Sequence, residues 1–148
     1  GAIGQGVTAY TAAKACTDED RELAGTLLAP LGAVVGPMTE TELESATAIS
    51  GCGPAYLFLL AEVLEAAARA SGLKPDVAAI LARQTVTGAG ALLAEGGEPA
   101  DLRRAVTSPG GVTAAALDVL MAPGGMPDLF RRAVAAAIAR NRQLAKPD

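Results

Sequence analysis

Histidine and tryptophan are absent from this 148-residue chain, aromatic residues number four (Tyr10, Tyr56, Phe58, Phe130), and cysteines two. Without histidine there can be no Ser-His-Asp triad, no Cys-His dyad and no His-bearing zinc site. Cys16 and Cys52 stand far apart and form no CxxC pair, which argues against a disulfide framework or a metal centre. Basic runs are missing too: no more than two Lys/Arg residues adjoin, and the net charge is −4 with a pI near 4.8. Nucleic acid and membrane surfaces are therefore poor expected partners. The most apolar run, Ala55–Leu64, is interrupted at Glu62 and falls short of the ~20 residues a bilayer crossing needs. Gly1-Ala-Ile-Gly4 carries neither a basic leader nor an initiator methionine. A cytoplasmic protein is expected, its true N-terminus lying upstream of Gly1.

What remains is apolar and helical. Hydrophobic residues make up 51% and alanines number 34, enough for a core in one domain. Thr17 or Asp18 can cap a helix over 18–30, and Thr39 with Glu42 forms a capping-box pattern for a short helix over 40–47. Gly32–Gly36 suits one short strand. Longer helices are expected at 54–70 and 75–94, and others at 98–106, 112–121 and 126–144. In the last, Leu129, Ala133, Ala136 and Ala137 are expected to face inward. No strand–helix alternation is evident. The expected fold is an all-α bundle of about six to seven helices with room for that one strand.

From Gln84 to Ala94 the chain carries no charge. A helix without a charged side is normally buried all round, and a chain this small has difficulty enclosing one alone. Gly88 and Gly90 cost roughly 1 kcal/mol each relative to alanine and make sense where another backbone approaches. A homodimer with this helix between subunits is the favoured reading. The plainer alternative is the central helix of a monomeric bundle.

Three glycine segments could carry chemistry. Gly4-Gln-Gly-Val-Thr-Ala9 matches GxGxxA, but only three residues precede it where a dinucleotide loop needs a buried strand, so the match reads as accidental. Ser108-Pro-Gly-Gly-Val-Thr113 is a glycine turn entering a helix. The first turn of a helix leaves amides unpaired and favours an anion, and Thr113 adds a hydroxyl that donates and accepts. That combination suits a small carboxylate with a neighbouring polar atom, although on spacing alone an ordinary capped helix with Thr113 merely polar is the favoured reading. Ser50-Gly-Cys-Gly-Pro54 repeats the pattern. Cys52 could be a thiol activated at a helix start, but no histidine can serve as its base, and a small turn residue is the better reading. Glu40, Glu42 and Glu44 read as a solvated face.

The segments Ala48-Ile-Ser-Gly-Cys-Gly-Pro-Ala-Tyr-Leu-Phe58 and Val106-Thr-Ser-Pro-Gly-Gly-Val-Thr113 resemble the C-terminal domain of Δ1-pyrroline-5-carboxylate reductases. Ile3–Thr8 and Arg140–Leu144 are similar to other parts of that domain. The resemblance implies reduction of 1-pyrroline-5-carboxylate to L-proline by hydride transfer from NADPH or NADH. It implies one helical dimerisation and substrate-binding domain over 1–148, interlocked as a homodimer that can assemble further. The family's NAD(P)-binding Rossmann domain would lie before Gly1, so the isolated chain is expected to fold and dimerise but not to turn over. The substrate residues implied are Ser108, Gly110, Gly111, Val112 and Thr113, with Ser50 and Cys52, and Thr113 is the implied catalytic residue near the ring nitrogen. No metal is implied. Cys52 departs from the family's usual serine, and a thiol is the poorer hydrogen-bond partner. The competing readings are a non-catalytic helical dimerisation module and a reductase of a related cyclic imine.

Overall fold

A computed structural model describes residues 3–145. The elements in chain order are β1 (Gly6–Ala9), α1 (Asp18–Leu28), β2 (Gly32–Val35), α2 (Glu40–Ala46), α3 (Gly53–Ala70), α4 (Pro75–Ala94), α5 (Pro99–Ala105), α6 (Val112–Leu120) and α7 (Met126–Leu144). The all-α expectation holds, with seven α-helices among the described residues. The chain divides into two compact units. One runs up to Gly53 and resumes at Arg132; the other is Pro54–Arg131.

In the first unit the strand expected at Gly32 is present, but it is not alone. β1 and β2 pair in parallel, from Gly6↔Gly32 to Ala9↔Val35, with α1 as the crossover. The expectation of no strand–helix alternation is therefore corrected. β1 is only four residues, Gly-Val-Thr-Ala, and two of them are Gly and Ala, poor strand formers. Its pairing with β2 is what makes it a strand. The two backbones meet so closely at Gly32 (φ +129°) that a β-carbon there would run into the Gly6 carbonyl.

Helices α1 and α2 start as their sequences dictate. Thr17 is the N-cap of α1, its hydroxyl accepting from Asp20 N while its own N–H donates to the Asp20 carboxylate at 2.8 Å. Thr39 and Glu42 form the same reciprocal box on α2, also at 2.8 Å. The backbone N–H of each threonine, and then its hydroxyl, holds its carboxylate partner's pKa below the ordinary value.

The segment expected to be a turn at Ser50–Pro54 does not leave the helical path. A π turn, Thr47–Gly51, joins α2 to α3, and the Ser50 hydroxyl donates back to Ala46 O at 2.9 Å. This junction extends the helical stretch to Glu40–Ala70. With Pro75–Ala94 it is long and apolar enough to cross a membrane by length and composition, each at a mean hydropathy of 1.4. The sequence expectation considered only the apolar run Ala55–Leu64 and missed both longer stretches. Core helices of soluble proteins pass the same test.

In the second unit, α3 and α7 meet through Tyr56 and Phe130, whose rings sit edge to face with centroids 5.9 Å apart. Helix α4 begins with Pro75 at its first position, as expected. Its charge-free half is not buried by this chain: from Gln84 to Ala94 only Val86 is better than exposed. Among the described residues only Ala48, Ala78 and Ala82 are fully buried. Three alanines are a small core for a domain this apolar, so much of its hydrophobic surface awaits cover. The inward face expected for α7 also shifts. Leu129, Ala133 and Ala136 are exposed, whereas Val134, Ala137, Ile138 and Asn141 form the half-buried stripe. The alanines of α7 are so numerous that two neighbouring stripes fit helical spacing equally well.

Candidate functional site

The strongest candidate lies in the second unit where α5 hands over to α6. Ser108, Pro109, Gly110 and Gly111 form a tight turn closed by Gly111 N donating to Ser108 O at 3.0 Å. Proline at the second position and glycine at the third, with φ +66°, are the requirements of a type II turn. Gly111 has a different constraint: a β-carbon there would collide with the Ser108 hydroxyl and lie 3.1 Å from its carbonyl. One glycine supplies a left-handed backbone and the other supplies space.

Gly111 is also the N-cap of α6, and no side chain bonds to the helix start. The contrast with α1 and α2, whose first turns are closed by Thr17 and Thr39, is informative. At α6 the amides of Val112, Thr113 and Ala114 open towards solvent with no capping oxygen, where the helix dipole favours negative charge. Gly111 N–H is already used within the turn, so it is not among the free donors. The turn is open. Ser108, Gly110 and Thr113 are exposed, and Val112 is 91% exposed. The Thr113 hydroxyl, one residue inside the helix, has no hydrogen-bond partner among the described residues, which leaves it able to donate and accept.

Ser50 and Cys52 sit differently. Both belong to the first unit, and the backbone N–H of Cys52 donates to Thr47 O at 3.0 Å. The π turn thus consumes the amide that a bare helix start would have offered. Ser50 is half-buried and its proton is engaged with Ala46 O, leaving only its lone pairs for a ligand. Cys52 is a half-buried free thiol.

A separate concavity of about 360 Å³ lies at the far end of α6. It is lined by Leu117, Leu120, Met121, Met126, Pro127 and Phe130, with Arg103 the one charged residue. It contains no hydroxyl and lies at the opposite end of the helix from Thr113, so it is no part of the turn site. Sequence reasoning did not find it, because its lining comes from three helices and has no local signature. Among the described residues no group of three or more His, Cys, Asp or Glu could hold a metal ion.

The glycines near the N-terminus do not fit a dinucleotide. Gly4 precedes β1 and Gly6 is its first residue, whereas a pyrophosphate loop follows its strand and opens a helix. The helix after β1 starts with Asp18, Glu19 and Asp20 and is already capped by Thr17, so its N-terminus repels a phosphate.

Fold and turn together define a class: a helix-rich domain with too little core of its own, carrying an uncapped helix start behind a diglycine turn. Comparison with known proteins makes the assignment specific. The family described as pyrroline-5-carboxylate reductase dimerisation matches residues 40–144, and the chain belongs to that family. A pyrroline-5-carboxylate reductase of Mycobacterium tuberculosis is 40% identical over 160 residues, covering 96% of this chain and 54% of the relative. The solved pyrroline-5-carboxylate reductase of Coxiella burnetii superposes with a TM-score of 0.89 at 36% identity, over 98% of this chain and 54% of that one. A pyrroline carboxylate reductase of Plasmodium falciparum, solved with NADP bound, gives a TM-score of 0.79 at 29% identity, over 97% of this chain and 55% of that one. The chain spans about half the length of the relatives it matches.

Proposed function

We propose that this chain is the substrate-holding and self-associating half of a cytoplasmic reductase that converts 1-pyrroline-5-carboxylate to L-proline. The observation that carries the reading is the uncapped start of α6 behind the Ser108–Gly111 turn, in a chain whose relatives bear that activity in their names. The substrate carboxylate takes the amides of Val112, Thr113 and Ala114. Ser108 edges the same turn, and the Thr113 hydroxyl reaches the ring nitrogen.

Reduction of a cyclic imine adds hydride to carbon and a proton to nitrogen. Neither event requires a covalent nucleophile. Its residues contribute by holding the substrate: amides fix the carboxylate, and a hydroxyl orients the nitrogen and can pass it a proton. The hydride comes from NADPH or NADH held by an N-terminal NAD(P)-binding domain.

The partner proposed is a second copy of the chain, as a homodimer. The exposed charge-free half of α4 and the three-alanine core support it. A second reading, favoured by the match of residues 40–144 to a dimerisation family, is a helical dimerisation module without catalysis. Titrating L-proline into the purified chain by calorimetry separates them. Saturable binding that Gly111→Ala and Thr113→Val weaken supports the substrate site. No heat of binding at millimolar proline supports the module. Reconstitution with the dinucleotide-binding half of a relative should restore NADPH-dependent proline formation. Loss of that activity in Thr113→Val by on the order of a hundredfold in kcat/KM is the expected outcome.

A further inference from the structure

We propose that each copy of the chain seats Phe58 of a second copy in the concavity at the end of α6, and sets Arg103 against that copy's Glu62. The inference rests on the self-association proposed above and names the contact that makes it specific. The concavity, about 360 Å³, is lined by Leu, Met, Pro and Phe side chains and holds one cation. A cavity of about 150 Å³ already accepts a benzene ring, so an aromatic side chain fits. Met121, Met126 and Phe130 are favourable neighbours for one.

Among the described residues Arg103 has no carboxylate partner. Its Nη1 lies 3.4 Å from the Met121 sulfur, a weak acceptor. The adjacent Arg104 is paired with Asp101, Arg131 with Asp128, and Arg69 with Glu65. An arginine beside an apolar hollow, satisfied only by sulfur, is complementary to an apolar group with a carboxylate alongside.

Helix α3 displays that pair. Phe58 is 69% exposed, the more exposed of the two phenylalanines. Glu62 is exposed one turn further on and makes no ion pair among the described residues, since Arg69 is taken by Glu65. Positions i and i+4 place ring and carboxylate side by side on one face. The chain cannot satisfy itself this way. Tyr56 is the residue of α3 that meets Phe130, and Phe58 lies two residues on, about 200° around the helix. In a two-fold dimer the contact forms twice, so each copy gives one Phe58–Glu62 pair and receives another. The buried ring supplies affinity and the charge pair fixes the register.

Sedimentation of the purified chain and its charge variants tests this. Wild type is expected to be dimeric. Glu62→Arg and Arg103→Glu are each expected to raise the dimer dissociation constant at least tenfold with far-UV circular dichroism unchanged. An equimolar mixture of the two variants should regain the dimer, because every contact then joins opposite charges. Single variants that dimerise like wild type, or a mixture that does not recover, overturn the inference while leaving self-association standing. A monomeric wild type defeats both. A second measurement does not depend on how the charge variants fold. Phe58→p-benzoylphenylalanine, irradiated in a mixture of isotopically light and heavy copies, should cross-link to residues 117–130 of the other copy. A dimer that cross-links elsewhere overturns the inference.

Discussion

At the scale of single residues, the two glycines of the turn are expected to fail in different ways when changed to alanine. Gly110 has φ +66° and open space around it, so Gly110→Ala strains only the backbone. Its expected cost is about 1–2 kcal/mol in chemical denaturation, with proline affinity reduced only as far as the turn distorts. At Gly111 a β-carbon displaces the Ser108 side chain at the mouth of the amide cradle. Gly111→Ala is expected to reduce affinity more than stability, and calorimetry set beside a urea melt reads both. Thr113→Ser keeps the hydroxyl and should retain most function, whereas Thr113→Val keeps the shape and loses it. If the two behaved alike, the hydroxyl would have no part in the chemistry.

Among the elements, the capping boxes of α1 and α2 give the chain an acid-sensitive edge. Asp20 and Glu42 hold their protons less tightly when folded than when unfolded. Their contribution is therefore complete above the ordinary carboxylate values, about pH 4, and is lost as pH falls through the lowered values. Helicity measured down a pH series should show α1 and α2 loosening at the acid end, and Thr39→Ala should cost about 1 kcal/mol even at neutral pH. These caps were legible in the sequence because S/T-x-x-E/D is a local pattern read by the backbone within one turn. The Pro-Gly-Gly bend was legible for the same reason. β1 and the π turn were not. One exists because another strand lies beside it, and the other because a helix that a glycine-rich segment would ordinarily end runs on through it. The inward stripe of α7 was misplaced by one residue, because a run of alanines records helical propensity but barely records direction. The hollow at the end of α6 left no local trace, being assembled from side chains on three helices.

For the whole molecule, the exposed apolar side chains and the three-alanine core lead to one expected outcome: sedimentation equilibrium should give a mass near twice 14.7 kDa. Stability should then rise with protein concentration, as it does wherever folding and association are linked. The surface ion pair between Arg142 and Glu44, at 2.7 Å, is a weaker device, and Glu44→Gln is expected to cost no more than about 1 kcal/mol. Its interest lies in what it connects. Those two residues are 98 positions apart, and the unit that contains them is assembled from an early segment and a late one, with Pro54–Arg131 in between. During synthesis the intervening unit is complete while its neighbour still waits for the residues after Arg132. A ribosome releasing this chain would therefore deliver the finished Pro54–Arg131 unit before the unit whose two segments flank it. The parallel strand pair, translated before Pro54–Arg131, would be the last part to find its full set of neighbours.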